Sequence, residues 1–200
     1  MSGLAERPEV QRDADPERIL NSLKNHLERS FEYLRGKERC AVLFSGGVDS
    51  ALAALMTSRM CEDTLLITAR CEGSHDESVA IQAATAMSLD IVEVHIDSDS
   101  LWNSLPQVVH SIKTRKRMDV EISIPFFFAA QEAQQRGYHL IISGQGPDEL
   151  FAGYARYEKL MVAEGTEKVE DALWADVSIT DETNIPVSYT HLTLPTTPYV

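Results

Sequence analysis

Short apolar runs alternate with helix-patterned stretches along this chain, and that alternation fixes what it can fold into. Cys40–Phe44, Thr64–Ala69, Ile91–Ile96 and His139–Ile142 are short, apolar and bounded, and read as buried strands. Pro16 to Gly36 places Ile19, Leu20, Leu23, Leu27, Phe31 and Leu34 along one side of a helix, with Gly36 as its stop. Val48, Leu52, Leu55, Met56 and Met60 recur at helical spacing, so a helix starts at or just after Gly46-Gly47 and ends near Met60. Ser74 and Glu77 form a capping box that opens a helix to about Leu89, with Val79, Ala83 and Met87 inward. A helical region spans Ser98 to Arg117, split or restarted by Pro106. Another runs from about Pro125 to Arg136 with Gly137 as its cap. Near-continuous apolar strands separated by helices mean an α/β fold: a parallel sheet with helices on both faces. Such sheets bind ligands outside the carboxyl ends of their strands.

Two loops sit at such ends. Ser45-Gly46-Gly47-Val48-Asp49-Ser50 follows the first strand and opens a helix. Its glycines let backbone approach a ligand, its first-turn N–H groups lack intrahelical partners, and the helix dipole favours an anion. Ser45 and Ser50 add hydroxyl donors. A plain strand-to-helix turn would account for the glycines alone. The flanking serines and the first-turn Asp49 speak for phosphate, with Mg2+ bridging it to the carboxylate. No Lys follows the glycines, so this is not a Walker A loop. The second loop, Ser143-Gly144-Gln145-Gly146-Pro147-Asp148-Glu149-Leu150-Phe151-Ala152-Gly153-Tyr154, follows the fourth strand. Gly144 would let a nucleoside lie against the backbone, and Asp148 is a second candidate Mg2+ ligand. Taken alone, it reads as a helix-start loop with solvated acids.

Together the loops resemble the ATP-pyrophosphatase (PP-loop) superfamily, and within it the synthetase domain of asparagine synthetases and β-lactam synthetases, whose signature is S-G-E-G-x-D-E-L-F-G-G-Y. Ser123-Ile124-Pro125 also fits, and the likeness spans about Ala41 to Tyr157. It implies an adenine-nucleotide alpha-hydrolase-like fold and an ATP-dependent, AMP-forming amide ligase. Asparagine synthase is the first expectation: aspartate, ATP and ammonia or glutamine-derived nitrogen give asparagine, AMP and pyrophosphate. It further implies that Leu43 and Ala69 hold the adenine through backbone groups. Ser45, Gly46, Gly47, Asp49 and Ser50 bind pyrophosphate, Ser143 and Gly144 contact the nucleoside, and Asp49 and Asp148 hold Mg2+. Gln145 stands where the family has a Glu near the reacting carboxylate; it keeps the shape but carries neither charge nor proton. Gln145 therefore keeps two other readings open: a β-lactam-synthetase-like or other PP-loop ligase with a different carboxylate, and a non-catalytic nucleotide-binding paralogue. A tRNA-modifying member of the superfamily would predict a basic face and usually paired cysteines.

Composition bounds the rest. At 200 residues the chain is one domain long, and 44% hydrophobic content suits a globular core. A net charge of −13 argues against a nucleic-acid partner. No apolar run reaches membrane-spanning length and the charged N-terminus is no signal peptide, so a cytoplasmic protein is expected; the resemblance implies a small-molecule carboxylate, aspartate first, as its partner. Cys40, Cys61 and Cys71 are odd in number without metal spacing and read as reduced, buried thiols. His95 and His110 lack metal-spaced partners, and Phe126–Phe128 read as core. The basic run Lys113, Arg115, Lys116 and Arg117 reads as a solvated helix end. Met1 to about Asp15 is expected to be frayed, residues 16–186 to form the ligase-type domain, and Val187–Val200 to be a translated sequencing-adapter tail. On that reading the natural C-terminus is missing, with the family's later lysine, and the chain is inactive. With Ser2 after Met1 and no glutaminase-sized segment ahead of the first loop, any glutaminase is expected on a separate chain.

Overall fold

The computed structural model describes residues 15–71 and 77–183. It divides into a sheet unit, residues 34–144, and a helical unit that takes in residues 15–33 and 145–183.

The sheet unit holds four parallel strands, β1 (Arg39–Leu43), β2 (Asp63–Cys71), β3 (Asp90–Ile96) and β4 (Ile141–Ser143), in the order β3-β2-β1-β4. Alternation along β1 sends its side chains to two covered faces. Ala41 joins Leu65, Ile67, Ala129, Ala133 and Tyr138 in one cluster, while Cys40, Val42 and Phe44 are buried on the other side. The helix α5 (Arg117–Gln135) supplies Ala129 and Ala133 to the first face. The helix α2 (Val48–Met60) packs on β1, β2 and β4, and α3 (Glu77–Met87) on β3. The expected α/β architecture is therefore observed.

Several local expectations give way. α2 forms where expected, but it buries Ala53, Ala54, Met56 and Thr57, while Val48, Leu52 and Leu55 face out. In α3 the inward residues are Ala80 and Ala84, and Val79 is 49% exposed; the loop at Gly46 packs directly on the Ala80 backbone. Ser74 of the capping box lies outside the described residues. α4 (Ser98–Ile112) runs unbroken through Pro106, which is exposed, so the carbonyl that loses its bond can turn to water. The break comes at Lys113, in the left-handed region at φ 55°. α5 then begins at Arg117 with Lys116 as its N-cap and carries Pro125 internally, eight residues earlier than a start at Pro125. The basic run thus joins two helices, all four side chains exposed. Phe126 and Phe127 are core, and His95 and His110 are exposed. Cys40 and Cys61 are buried, but Cys71, the last residue of β2, is exposed.

At the amino ends of the strands, side chains close a bracket. Arg39 donates from Nε to Asp63 at 3.0 Å and from Nη1 to the Arg136 carbonyl at 2.9 Å, and its guanidinium lies 4.1 Å over the Tyr138 ring. The Tyr138 hydroxyl lies 2.9 Å from one Asp63 carboxylate oxygen and 3.0 Å from the other.

In the helical unit, α1 (Pro16–Phe31) is capped by Asp15 and continues as a 3-10 turn over Glu32–Leu34. It buries none of its own residues, and Ile19 and Leu20 are exposed. α8 (Thr166–Thr183) packs against α6 (Pro147–Phe151) and α7 (Ala155–Glu164). Asp176 of α8 accepts from Tyr157 and Arg156 of α7. Residues 1–14 and the tail 187–200 lie outside the described residues.

Candidate active site

β1 continues to β2 and β3 on one side, whereas the chain returns to β4 on the other. The carboxyl ends of β1 and β4 therefore flank the point where the strand order reverses, the place where open α/β sheets bind ligands. Within the sheet unit, both segments of the expected site are there: Ser45–Ser50 after β1, and Ser143-Gly144 at the end of β4, whose Ser143 is in register with Leu43.

The first loop is held by its serines. Ser50 is buried, and its hydroxyl donates to the Gly47 carbonyl at 3.0 Å, accepts from the Ser45 N–H at 3.3 Å and lies 3.1 Å from Ser45 Oγ. Ser45 Oγ accepts from the Gly47 N–H at 3.3 Å. Ser45 and Gly47 are exposed and Asp49 is half-buried in the first turn of α2. Gly47 is the N-cap and has no side chain with which to cap the helix. The start of a thirteen-residue helix is thus left to backbone donors, which is chemistry suited to phosphate oxygens.

Two close approaches account for two glycines. Gly46 takes φ +83°, and a Cβ there would come 2.9 Å from the Ala80 backbone. A Cβ on Gly144 would come 2.6 Å from the Asp49 carbonyl carbon and the Ser50 nitrogen. The loop after β4 therefore lies directly on the first turn of α2. Leu43 and Ala69, the expected adenine contacts, end or near-end neighbouring strands and are half-buried.

Next to Ala69 lies a feature that sequence reasoning missed. Arg70 pairs with Glu93 of β3, both side chains largely covered. Two opposite charges within otherwise apolar strands were the available signal.

Gln145 and Asp148 belong to the helical unit, where Gln145 is exposed and Asp148 half-buried. Gly146 (φ 110°) leads into α6, and Ala152 (φ 59°) ends it. The Tyr154 hydroxyl donates to Glu149 at 2.6 Å; burial first, then that carboxylate, pushes its ionisation upward. Among the described residues no group of three or more His, Cys, Asp or Glu side chains could hold a metal by itself. Asp49, in the sheet unit, and Asp148, in the helical unit, each carry carboxylate oxygens of the kind a hard cation takes.

The asparagine synthase family pattern matches residues 22–187, most of the chain. The chain belongs to the asparagine synthase family. A putative glutamine-hydrolyzing asparagine synthetase of Methanocaldococcus jannaschii is 31% identical over 166 residues, covering 80% of this chain and 30% of that protein. The glutamine-hydrolyzing asparagine synthetase of Zea mays is 30% identical over 128 residues, 59% of this chain and 22% of that protein. Asparagine synthetase B of Escherichia coli is 24% identical over 153 residues, 70% of this chain and 26% of that protein. The chain thus spans under a third of the length of these relatives. A solved structure described as a predicted subunit of a tRNA methyltransferase from M. jannaschii superposes with TM-score 0.39 at 16% identity, covering 68% of this chain and 74% of that one. A likeness at that level bears on neither mechanism nor partner. None of the described helices is long and apolar enough to cross a membrane.

Proposed function

We propose that the chain binds ATP and Mg2+ and contributes the adenylating half of an asparagine synthase reaction. The observation that carries this reading is the uncapped first turn of α2 with the Gly144 backbone lying on it, at the reversal point of the sheet. Ser45, Gly46, Gly47 and Ser50 would hold pyrophosphate, the Leu43 and Ala69 backbones the adenine, and Ser143 and Gly144 the nucleoside. Asp49 and Asp148 would be the Mg2+ ligands. When bound, the cation would neutralise charge on the phosphate oxygens. The protein's share is to orient and to exclude water, so that a substrate carboxylate, aspartate in this reading, meets the α-phosphorus in line. That attack breaks the α–β phosphoanhydride and releases pyrophosphate; ammonia then displaces AMP from the acyl carbon. The nitrogen would come from free ammonia or from a glutaminase, and the setting would be the cytoplasm.

Mg2+-dependent ATP binding should be measurable on this chain by calorimetry, and Asp49→Ala should weaken it. Pyrophosphate exchange dependent on aspartate is expected in a chain extended to the length of its relatives. Absence of ATP binding by the intact chain would sink the proposal. Gln145 favours a second reading, a nucleotide-binding paralogue without ligase activity, because it replaces an ionisable Glu. Under that reading the extended chain binds Mg2+·ATP yet releases no pyrophosphate with any carboxylate, and Gln145→Glu is the variant to assay beside it.

A further inference from the structure

Asp148 does not stand alone on α6. After Ala152 the chain turns back, and the Gly153 N–H donates to the Asp148 carbonyl at 3.0 Å. This lays the Gly153 Cα against the Asp148 carboxylate. A Cβ built at Gly153 would sit 1.9 Å from Asp148 Oδ1 and 2.8 Å from its Cγ. The next residue, Tyr154, ties the same turn to Glu149 through its hydroxyl at 2.6 Å.

We infer that Gly153 is a positioning residue: its missing side chain creates the space that sets the direction of the Asp148 carboxylate. This inference rests on the proposed role of Asp148 as a Mg2+ ligand. The obstruction differs in kind. At Gly144 an added Cβ would meet backbone at 2.6 Å, whereas at Gly153 its two nearest neighbours belong to a rotatable side chain and the nearest backbone atom, the Asp148 Cα, lies at 3.1 Å, a clash that a shift of a few tenths of an ångström relieves. Gly153 has no positive φ, so an alanine there meets no backbone penalty of its own. An added methyl group is therefore relieved by swinging the carboxylate away. The fold survives and the ligand geometry does not.

Mn2+ serves as the probe, titrated into the full 200-residue chain with a non-hydrolysable ATP analogue and read by electron paramagnetic resonance. Gly153→Ala should weaken Mn2+ binding about tenfold or more, the scale on which outer-shell partners of metal ligands act, while the melting temperature stays near that of the parent. Asp148→Ala should weaken binding at least as much, and the double variant should be no weaker than Asp148→Ala. Ala152→Gly alters the same turn without touching the carboxylate and should leave binding unchanged. Unaltered binding in Gly153→Ala beside a weakened Asp148→Ala overturns the positioning role and spares the ligand role. Unaltered binding in Asp148→Ala overturns both. Should Gly153→Ala unfold the chain, Asp148→Ala is added to it: recovery of the fold without recovery of Mn2+ binding supports the collision, and no recovery overturns it.

Discussion

Gly144 owes its identity to what lies against it. The Asp49–Ser50 backbone leaves no room for a methyl group, and backbone in a helix's first turn cannot rotate aside. Gly144→Ala should therefore cost about 1–3 kcal/mol, the usual range for overpacking, read as a lower midpoint in urea with unchanged slope. ATP affinity should fall with it. The two loops were legible in the sequence because glycine, serine and aspartate in those orders have few alternative uses. Which glycine touches what was not. Gly46 meets α3, Gly144 meets α2 and Gly153 meets a carboxylate five residues back, and the partners of Gly46 and Gly144 lie dozens of residues away along the chain.

Among elements, strands were read more accurately than helices. A buried strand needs only a bounded apolar run, whereas a helix's inward face depends on what it packs against. α2 illustrates this: Val48, Leu52 and Leu55 point outward, while Met56 and two alanines face the sheet. The prolines misled for a different reason. Pro106 and Pro125 each suggest a helix boundary, yet both lie inside helices, and the chain breaks at Lys113 instead. Lys113 holds φ 55°, a conformation that is costly for any residue with a Cβ. Lys113→Gly should raise stability by about 1 kcal/mol, seen as a higher melting temperature with no change in ATP binding.

For the molecule as a whole, the ionisable groups set an upper pH limit. Burial pushes the Cys40 thiol from an ordinary 9.0 up to about 12, with Cys61 hydrogen-bonded beside it. Desolvation likewise raises Tyr138, Tyr154 and Tyr157. In each case the folded chain keeps a proton that the unfolded chain releases. The stabilisation is complete below about pH 9 and is lost as pH rises toward 12. Denaturation midpoints should decline across that window. At neutral pH Cys71 should react with a thiol reagent well before Cys40 or Cys61, since it alone of the three is exposed. The sequence hinted at buried thiols from composition, but exposure of Cys71 follows from its place at the far end of β2.

The Arg39–Asp63–Tyr138 bracket fastens one rim of the sheet with interlocking side chains, whereas at the opposite rim two small serine hydroxyls and backbone lying on backbone do the fastening. An engineer seeking a sturdier protein thus has residues to exchange at the first rim and almost none at the second. Sequence drift faces the same asymmetry: side chains can be exchanged in the bracket, but where Gly144 lies on α2 only the absence of one is tolerated.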